Sequence, residues 1–172
     1  MACAYFKKAY FLKNAEKINM HFAGNQTLAV SQTQAWQFLT DPDQVGKCVP
    51  GLRSIEVIDA THFNAKVGFG VGSFSATFTL EVEWLEMAAP HRARMKVHGD
   101  APGSVVDGES ALKLSAIDET TTNLEWTADV NIGGKIASIA ARLMNTVAQK
   151  LTEKFFKGLK KKMEGGKKRR EK

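Results

Sequence analysis

The feature that most constrains the fold is a change in the spacing of apolar residues at Gly133–Gly134. Before this point, apolar and polar residues alternate in one stretch after another, a pattern typical of half-buried β-strands. The clearest stretch runs from Phe74 to Trp84, where Ser, Thr and Glu fill every second position. After Gly134, apolar residues recur every three or four positions from Ile136 to Phe155, which predicts one long amphipathic helix.

Turn residues separate the alternating stretches, so the strands are expected to pair as antiparallel hairpins. We expect the first strand over residues 21–29, Ser31 as the cap of a short helix, and Asp41–Pro42 as the start of a second one. A long helix with one apolar stripe needs an apolar partner, and the inner face of the sheet provides it. The sequence therefore predicts an α+β helix-grip fold. In this fold a curved antiparallel β-sheet wraps around a long C-terminal helix, and two short helices follow the first strand.

A curved sheet cannot contact a straight helix along its whole length, and the gap between them is a common place for an apolar ligand. Small residues on the inward rows, such as Ala65, Ala76 and Ser110, leave room that a fully packed core would fill. Plain core packing is the alternative role for each apolar residue of these rows. The residues predicted to line the cavity are Phe69, Val71, Phe74, Phe78, Ser110, Leu112, Trp126, Ala128, Leu143 and Val147.

The sequence contains no pattern typical of a metal site or of catalytic residues. None of the four histidines has a Cys, His or carboxylate at the spacing of metal ligands. These histidines are His21, His62, His91 and His98. The glycines within 68–72 resemble part of a dinucleotide-binding fingerprint, but a strand follows them rather than a helix. The inward rows hold no pair of carboxylates, so acid–base catalysis has no evident residues.

The net charge of +6 is concentrated at the ends of the chain. Residues 157–172 hold nine basic and two acidic residues, and residues 1–19 hold four basic and one acidic residue. Such a tail is solubilising, contacts an anionic membrane surface, or binds nucleic acid without sequence preference. Near an anionic membrane each basic residue contributes on the order of 1 kcal/mol. The residues predicted to face a membrane surface are Lys160, Lys161, Lys162, Lys167, Lys168, Arg169 and Arg170.

The 172 residues suit one globular domain better than two. We expect an N-terminal extension over residues 1–19, which is either non-native or a surface helix. A helix-grip domain is expected over 20–159, and a disordered basic tail over 160–172.

Two further features indicate the compartment. The longest run without Asp, Glu, Lys or Arg, Ile18–Thr40, has 23 residues, but ten of these are Asn, Gln, Ser or Thr, whereas a membrane-spanning helix needs about 20 predominantly apolar residues. The two cysteines, Cys3 and Cys48, form no disulfide or metal pattern. The sequence therefore predicts a reduced, cytoplasmic chain.

Two groups of residues resemble the signatures of a known family. The first group is Phe38–Leu39–Thr40–Asp41–Pro42, Cys48–Val49–Pro50–Gly51 and Ile55–Glu56, and the second is Gly133–Gly134–Lys135, Arg142–Leu143 and Phe155–Phe156. Both are similar to the carbon monoxide dehydrogenase G-subunit (CoxG) family, over about Met20 to Leu159. That family belongs to the SRPBCC superfamily of START lipid-transfer domains, the birch-pollen allergen fold and polyketide cyclases. The resemblance implies the same helix-grip fold.

The resemblance also implies a function. Family members accompany molybdenum hydroxylases such as carbon monoxide dehydrogenase, recruit them to the cytoplasmic membrane, and in some cases are linked to a bound quinone. We therefore expect a non-enzymatic accessory protein that binds a quinone or another lipid and has no metal or permanent cofactor. Its membrane contact would be peripheral, because a basic tail stands where some relatives have a hydrophobic anchor. A docking or assembly factor without a ligand, and a polyketide-cyclase-like enzyme, are the alternatives.

Overall fold

One curved antiparallel sheet and one long helix dominate the structure. The computed structural model describes residues 17–165, except for the side chains of residue 71 and of residues 140–145. The strands of this part are β1 Ile18–Leu28, β2 Leu52–Val57, β3 His62–Val71, β4 Phe74–Ala88, β5 Arg92–Ala101, β6 Ser104–Asp118 and β7 Thr121–Gly134. They pair in the order β1-β7-β6-β5-β4-β3-β2. The helices are α1 Gln32–Leu39, α2 Pro42–Gly46 and α3 Lys135–Gly165. The predicted helix-grip architecture is confirmed.

The two short helices begin at the predicted caps. The Ser31 hydroxyl accepts a hydrogen bond from the Gln34 amide, and the Gln34 side chain accepts one from the Ser31 amide. The Asp41 carboxylate accepts hydrogen bonds from the amides of Asp43 and Gln44, at 2.9 and 3.2 Å. Each cap satisfies amides that a helix start leaves unpaired. The inward residues of α1 are Ala35, Trp36 and Leu39.

The junction between β7 and α3 keeps the start of the long helix close to the sheet. Gly134 adopts a φ of +81°, and a Cβ there would clash with the Gly103 carbonyl oxygen. The Ile136 amide donates a hydrogen bond of 3.2 Å to the buried Ser104 hydroxyl. Because no loop separates strand from helix, the first turns of α3 pack directly on the inner face.

The apolar interior is divided into two clusters that lie at opposite ends of α3. One cluster joins the C-terminal part of α3 to α1 and to strands β1, β4, β6 and β7. Its members include Leu28, Trp36, Leu39, Trp84, Leu114, Leu124, Phe156, Leu159 and Met163. The other cluster joins the first turn of α3 to strands β4 and β7. Its members are Phe78, Ile132, Ile136 and Ala137, and Phe69, Phe74 and Val130 pack against it.

The two ends of the described chain differ from the predicted element bounds. Strand β1 begins at Ile18 rather than at residue 21, and α3 continues to Gly165, six residues past Leu159. The helix continues because Met163 is buried and extends the apolar stripe by one turn. Lys160, Lys161 and Lys162 are therefore helical, whereas the sequence predicted a disordered tail from residue 160. Among the described residues, no helix has the length and apolar character that crossing a membrane would require.

Most of the remaining tail lies beyond the structure. Lys167, Lys168, Arg169 and Arg170 fall outside the described residues, as does most of the predicted N-terminal extension 1–19. Their predicted roles stay predictions.

Candidate ligand cavity

A cavity of about 550 Å³ lies between the inner face of the sheet and the middle of α3. Leu39, Leu124 and Phe156 of the first cluster border it, as does Phe69, which packs against the second cluster. Its volume falls in the range of sites for small organic molecules, roughly 300–1,000 Å³. The lining residues are Leu39, Val45, Val49, Pro50, Gly51, Val67, Gly68, Phe69, Gly70, Met95, Ser110, Ala111, Leu112, Leu124, Trp126, Leu151, Thr152, Phe155 and Phe156.

Four of the ten residues predicted from the sequence lie in this lining: Phe69, Ser110, Leu112 and Trp126. Leu112 and Trp126 are directly opposite each other on β6 and β7. The alternation of apolar and polar residues along the strands therefore predicted which face of the sheet forms the floor of the cavity.

Four other predicted residues lie on the inner face or on α3 but away from the lining. Phe74 and Phe78 belong to the cluster at the start of α3, where helix and sheet are in direct contact. Ala128 and Val147 are half-buried and do not border the cavity. For Phe74 and Phe78 the physical reason is the tight β7–α3 junction, which brings helix and sheet into direct contact at this end. The side chains of Val71 and Leu143 lie outside the described residues.

The α3 residues that line the cavity lie one to two turns further along the helix than the predicted Leu143 and Val147. Leu151, Thr152, Phe155 and Phe156 line the cavity, and the rings of Phe156 and Trp126 are 5.5 Å apart. The helical stripe through Leu151 and Phe155 was visible in the sequence. What the stripe does not show is where along its length the sheet diverges from it.

The loop after α2 forms the rim. The Gly68 amide donates a hydrogen bond of 2.8 Å to the Gly51 carbonyl, which ties this loop to β3. Gly51 has a φ of +81°, and a Cβ there would clash with the Gly68 carbonyl oxygen. Val49 and Pro50 of the same loop border the cavity. The rim thus needs glycine at position 51 both for its backbone angle and for the close approach.

Polar groups are sparse in this cavity. Among the described lining residues, the side chains with a polar group are Ser110, Thr152 and Trp126, and none is acidic, basic or a histidine. The indole Nε1 of Trp126 is buried and has no hydrogen-bond partner in the described part of the chain. The described part of the lining is therefore suited to apolar contact and includes no titratable side chain.

The histidines lie elsewhere. His98 stands on the outer face of the sheet, where Nδ1 is 2.6 Å from Asp107 and Nε2 is 2.8 Å from Asp100. The bond to Asp107 raises the pKa of His98, because carboxylates on both ring nitrogens favour the charged ring. Because its pKa is higher in the folded protein, His98 stabilises the fold at pH values below its unfolded pKa. This stabilisation is lost as the pH rises through the folded pKa. Within residues 17–165, no group of three His, Cys, Asp or Glu side chains is arranged to hold a metal ion.

Cys48 is a buried free thiol beside Gly158 of α3. Burial raises its pKa, and the nearby Lys162 ammonium opposes this shift. A thiol with a raised pKa stays protonated at neutral pH and is a poor nucleophile. Its contribution is packing between the α2 loop and the helix.

The family comparison matches most of the chain. The model of the carbon monoxide dehydrogenase G-subunit (CoxG) family matches residues 24–164, which include the whole cavity lining. Among the curated proteins, none matches at a significant level.

Solved structures share the fold. A conserved protein from Geobacillus kaustophilus is 26% identical, with a TM-score of 0.78 over 86% of this chain and 96% of that chain. The Zhui aromatase/cyclase from Streptomyces sp. R1128 is 16% identical, with a TM-score of 0.61 over 90% and 97% of the two chains. A truncated norcoclaurine synthase from Thalictrum flavum is 11% identical, with a TM-score of 0.57 over 86% and 95%. The last two likenesses show the helix-grip fold and nothing about activity.

Proposed function

Since this chain belongs to the carbon monoxide dehydrogenase G-subunit (CoxG) family, we propose that it is a non-enzymatic accessory protein that carries an apolar ligand. The ligand is a quinone or another lipid, and it occupies the cavity between the sheet and α3. The partner is a molybdenum hydroxylase such as carbon monoxide dehydrogenase, which the protein connects with the membrane.

The observation that carries the ligand proposal is the 550 Å³ cavity with an almost wholly apolar lining. The cavity opens to solvent, since Gly51, Gly70 and Leu151 of its lining are exposed, and an apolar concavity of this size is typical of ligand sites. Apolar burial is worth roughly 25 cal/mol per Å², so a ligand burying about 200 Å² of apolar surface gains about 5 kcal/mol from this term. A prenyl or acyl chain supplies such a surface without needing many polar contacts.

The absence of titratable side chains from the described lining supports a carrier rather than an enzyme. Cyclases and synthases share the fold, so the fold alone does not separate the two classes. Acid–base catalysis needs a group that exchanges a proton with the substrate. In the described lining, the hydroxyl groups of Ser110 and Thr152 have no basic side chain as a partner that could act as the base.

Titration with a short-tailed ubiquinone tests the ligand proposal directly. We expect ubiquinone with two isoprene units to bind saturably, and the tail-less ubiquinone head group to bind at least tenfold more weakly, because the tail supplies the apolar area. Calorimetry gives both affinities. Equal, weak affinity for the two compounds would contradict an apolar carrier and favour a docking or assembly factor without a ligand.

A row of lysines along α3 supports the membrane proposal. Lys150, Lys154, Lys157 and Lys161 are exposed and follow one another at spacings of four, three and four, so they share one helix face. None of them forms an ion pair with another described residue. This row lies on the side of α3 opposite the cavity wall and continues the charge of the basic tail. An anionic surface would be attracted to this face.

Vesicle binding tests the role of this lysine row. We expect the triple change Lys150→Gln, Lys154→Gln and Lys157→Gln to weaken binding to phosphatidylglycerol vesicles about 100-fold at low salt, at about 1 kcal/mol per lysine. Sedimentation with vesicles measures the partition.

The matched control removes the same charge from the outer face of the sheet. Lys66, Lys96 and Lys113 are exposed lysines of β3, β5 and β6. Their change to Gln is expected to leave vesicle binding within about threefold of the unmodified protein, because only charges close to the membrane contribute fully. An equal loss in both triple variants would mean that net charge, and not the α3 face, governs the attraction.

A further inference from the structure

We infer that Gly24 sets the depth of the cavity at the wall formed by Trp126, and thereby the size of the apolar ligand that fits. This inference rests on the proposed function, because it assigns ligand selection to a residue on the edge strand β1. Gly24 itself is not part of the cavity lining. It acts as a positioning residue through the Trp126 ring, which does line the cavity.

Gly24 and Trp126 are directly opposite each other on β1 and β7. Their side-chain directions therefore point to the same, inner face of the sheet. The indole ring covers the place where a side chain of residue 24 would begin. A Cβ on Gly24 would lie 3.0 Å from Cζ2 and 3.1 Å from both Cε2 and Nε1 of Trp126. Such distances are shorter than ordinary van der Waals contacts, so the ring sits in a hollow over Gly24 and would have to shift by a few tenths of an ångström to admit a Cβ.

Packing alone holds the Trp126 ring in this hollow. Its Nε1 is buried and has no hydrogen-bond partner among the described residues, so no polar contact fixes the ring. On its other side lies the Phe156 ring of α3, with centroids 5.5 Å apart. Both rings line the cavity. The ring position is therefore decided by the backbone of Gly24 beneath it and by the helix above it.

A side chain at position 24 would lift the indole away from the sheet. A shift of a few tenths of an ångström away from Gly24 brings the ring towards Phe156 and the cavity between the sheet and α3. The cavity then becomes shallower at this wall, and long or bulky ligands lose room before small ones do. A smaller ring at position 126 would restore the room, because it no longer reaches over β1.

The test compares Gly24→Ala and Gly24→Val with the double variant Gly24→Ala/Trp126→Phe. The probe is ubiquinone with two isoprene units, followed by calorimetry, and thermal unfolding reports the integrity of each fold. We expect a loss of affinity of about tenfold in Gly24→Ala, a larger loss in Gly24→Val, and recovery in the double variant, as for side chains in direct contact. The control Ala23→Val adds bulk to the opposite face of β1 and is expected to bind like the unmodified protein.

The outcomes separate this inference from the proposed function. If the unmodified protein binds no quinone, the carrier proposal fails before position 24 is tested. If the unmodified protein binds and a folded Gly24→Ala binds equally well, Gly24 does not set the depth. If Gly24→Ala does not fold, the single change Trp126→Phe tests whether the ring at this wall limits the size of the ligand. It is expected to improve binding of a ubiquinone with three isoprene units relative to one with a single unit, and an unchanged ratio would overturn the inference.

Discussion

Replacing Ser110 with Trp is expected to abolish ligand binding while the protein stays folded. Ser110 lies on the cavity floor, between Met95 of β5 and Ala128 of β7. An indole there would project into the 550 Å³ space and occupy the volume that a ligand needs. We expect the affinity for ubiquinone with two isoprene units to fall at least about 100-fold, which corresponds to about 2.7 kcal/mol. Calorimetry measures this loss.

The fold should tolerate the same change, for a reason that the cavity itself supplies. Large side chains forced into a packed core typically cost about 1–3 kcal/mol, because neighbours must move. At Ser110 the indole enters a cavity rather than a packed core, so the free energy of unfolding is expected to change by less than about 1 kcal/mol. Ser75→Trp is the matched control, since Ser75 is exposed on the outer face of β4. A folded Ser110→Trp with normal affinity would place the binding site elsewhere.

Replacing Gly51 with Ala is expected to cause the largest loss of stability among single methyl additions at the cavity rim. Two costs combine at this position. A non-glycine residue at a φ of +81° costs about 1–3 kcal/mol, and the new Cβ also clashes with the Gly68 carbonyl oxygen. Because a backbone atom cannot rotate away, the hydrogen bond between Gly68 and Gly51 has to open. We expect the free energy of unfolding to fall by about 3 kcal/mol or more, measured by urea denaturation.

Gly72 provides the control for this prediction. It also has a positive φ, +59°, but a Cβ there would meet nothing within 4 Å. Gly72→Ala therefore isolates the conformational cost, which is expected to be about 1 kcal/mol. Equal destabilisation by the two substitutions would show that the close approach of Gly51 to Gly68 contributes nothing to the rim.

The sequence predicted the architecture because its two apolar periodicities are strong and separate. The row from Phe74 to Trp84 specifies which face of β4 is buried, and the stripe from Ile136 to Phe155 does the same for α3. Local signals such as Ser31 and Asp41 were equally direct, since capping depends on residues only two or three positions away. The family match over 24–164 agrees with the resemblance drawn from the two signatures.

The position of the cavity along the helix was not predictable in the same way. Phe78 and Phe69 lie on the same inner face and both pack at the cluster at the start of α3, yet of the two only Phe69 borders the cavity. The difference depends on where the sheet curves away from α3, which is a property of the assembled structure. The helix end shows the same limit, because the basic composition after Leu159 suggested a tail although Met163 is buried.

The measurement that tests the proposed ligand most directly is mass spectrometry of an organic extract of the protein. The protein is purified gently from its own host, beside Ser110→Trp prepared in the same way. We expect a quinone or lipid in near-stoichiometric amount in the unmodified protein and little or none in the variant. An empty extract, or the same compound in equal amount in both proteins, would contradict an apolar ligand in the cavity between the sheet and α3.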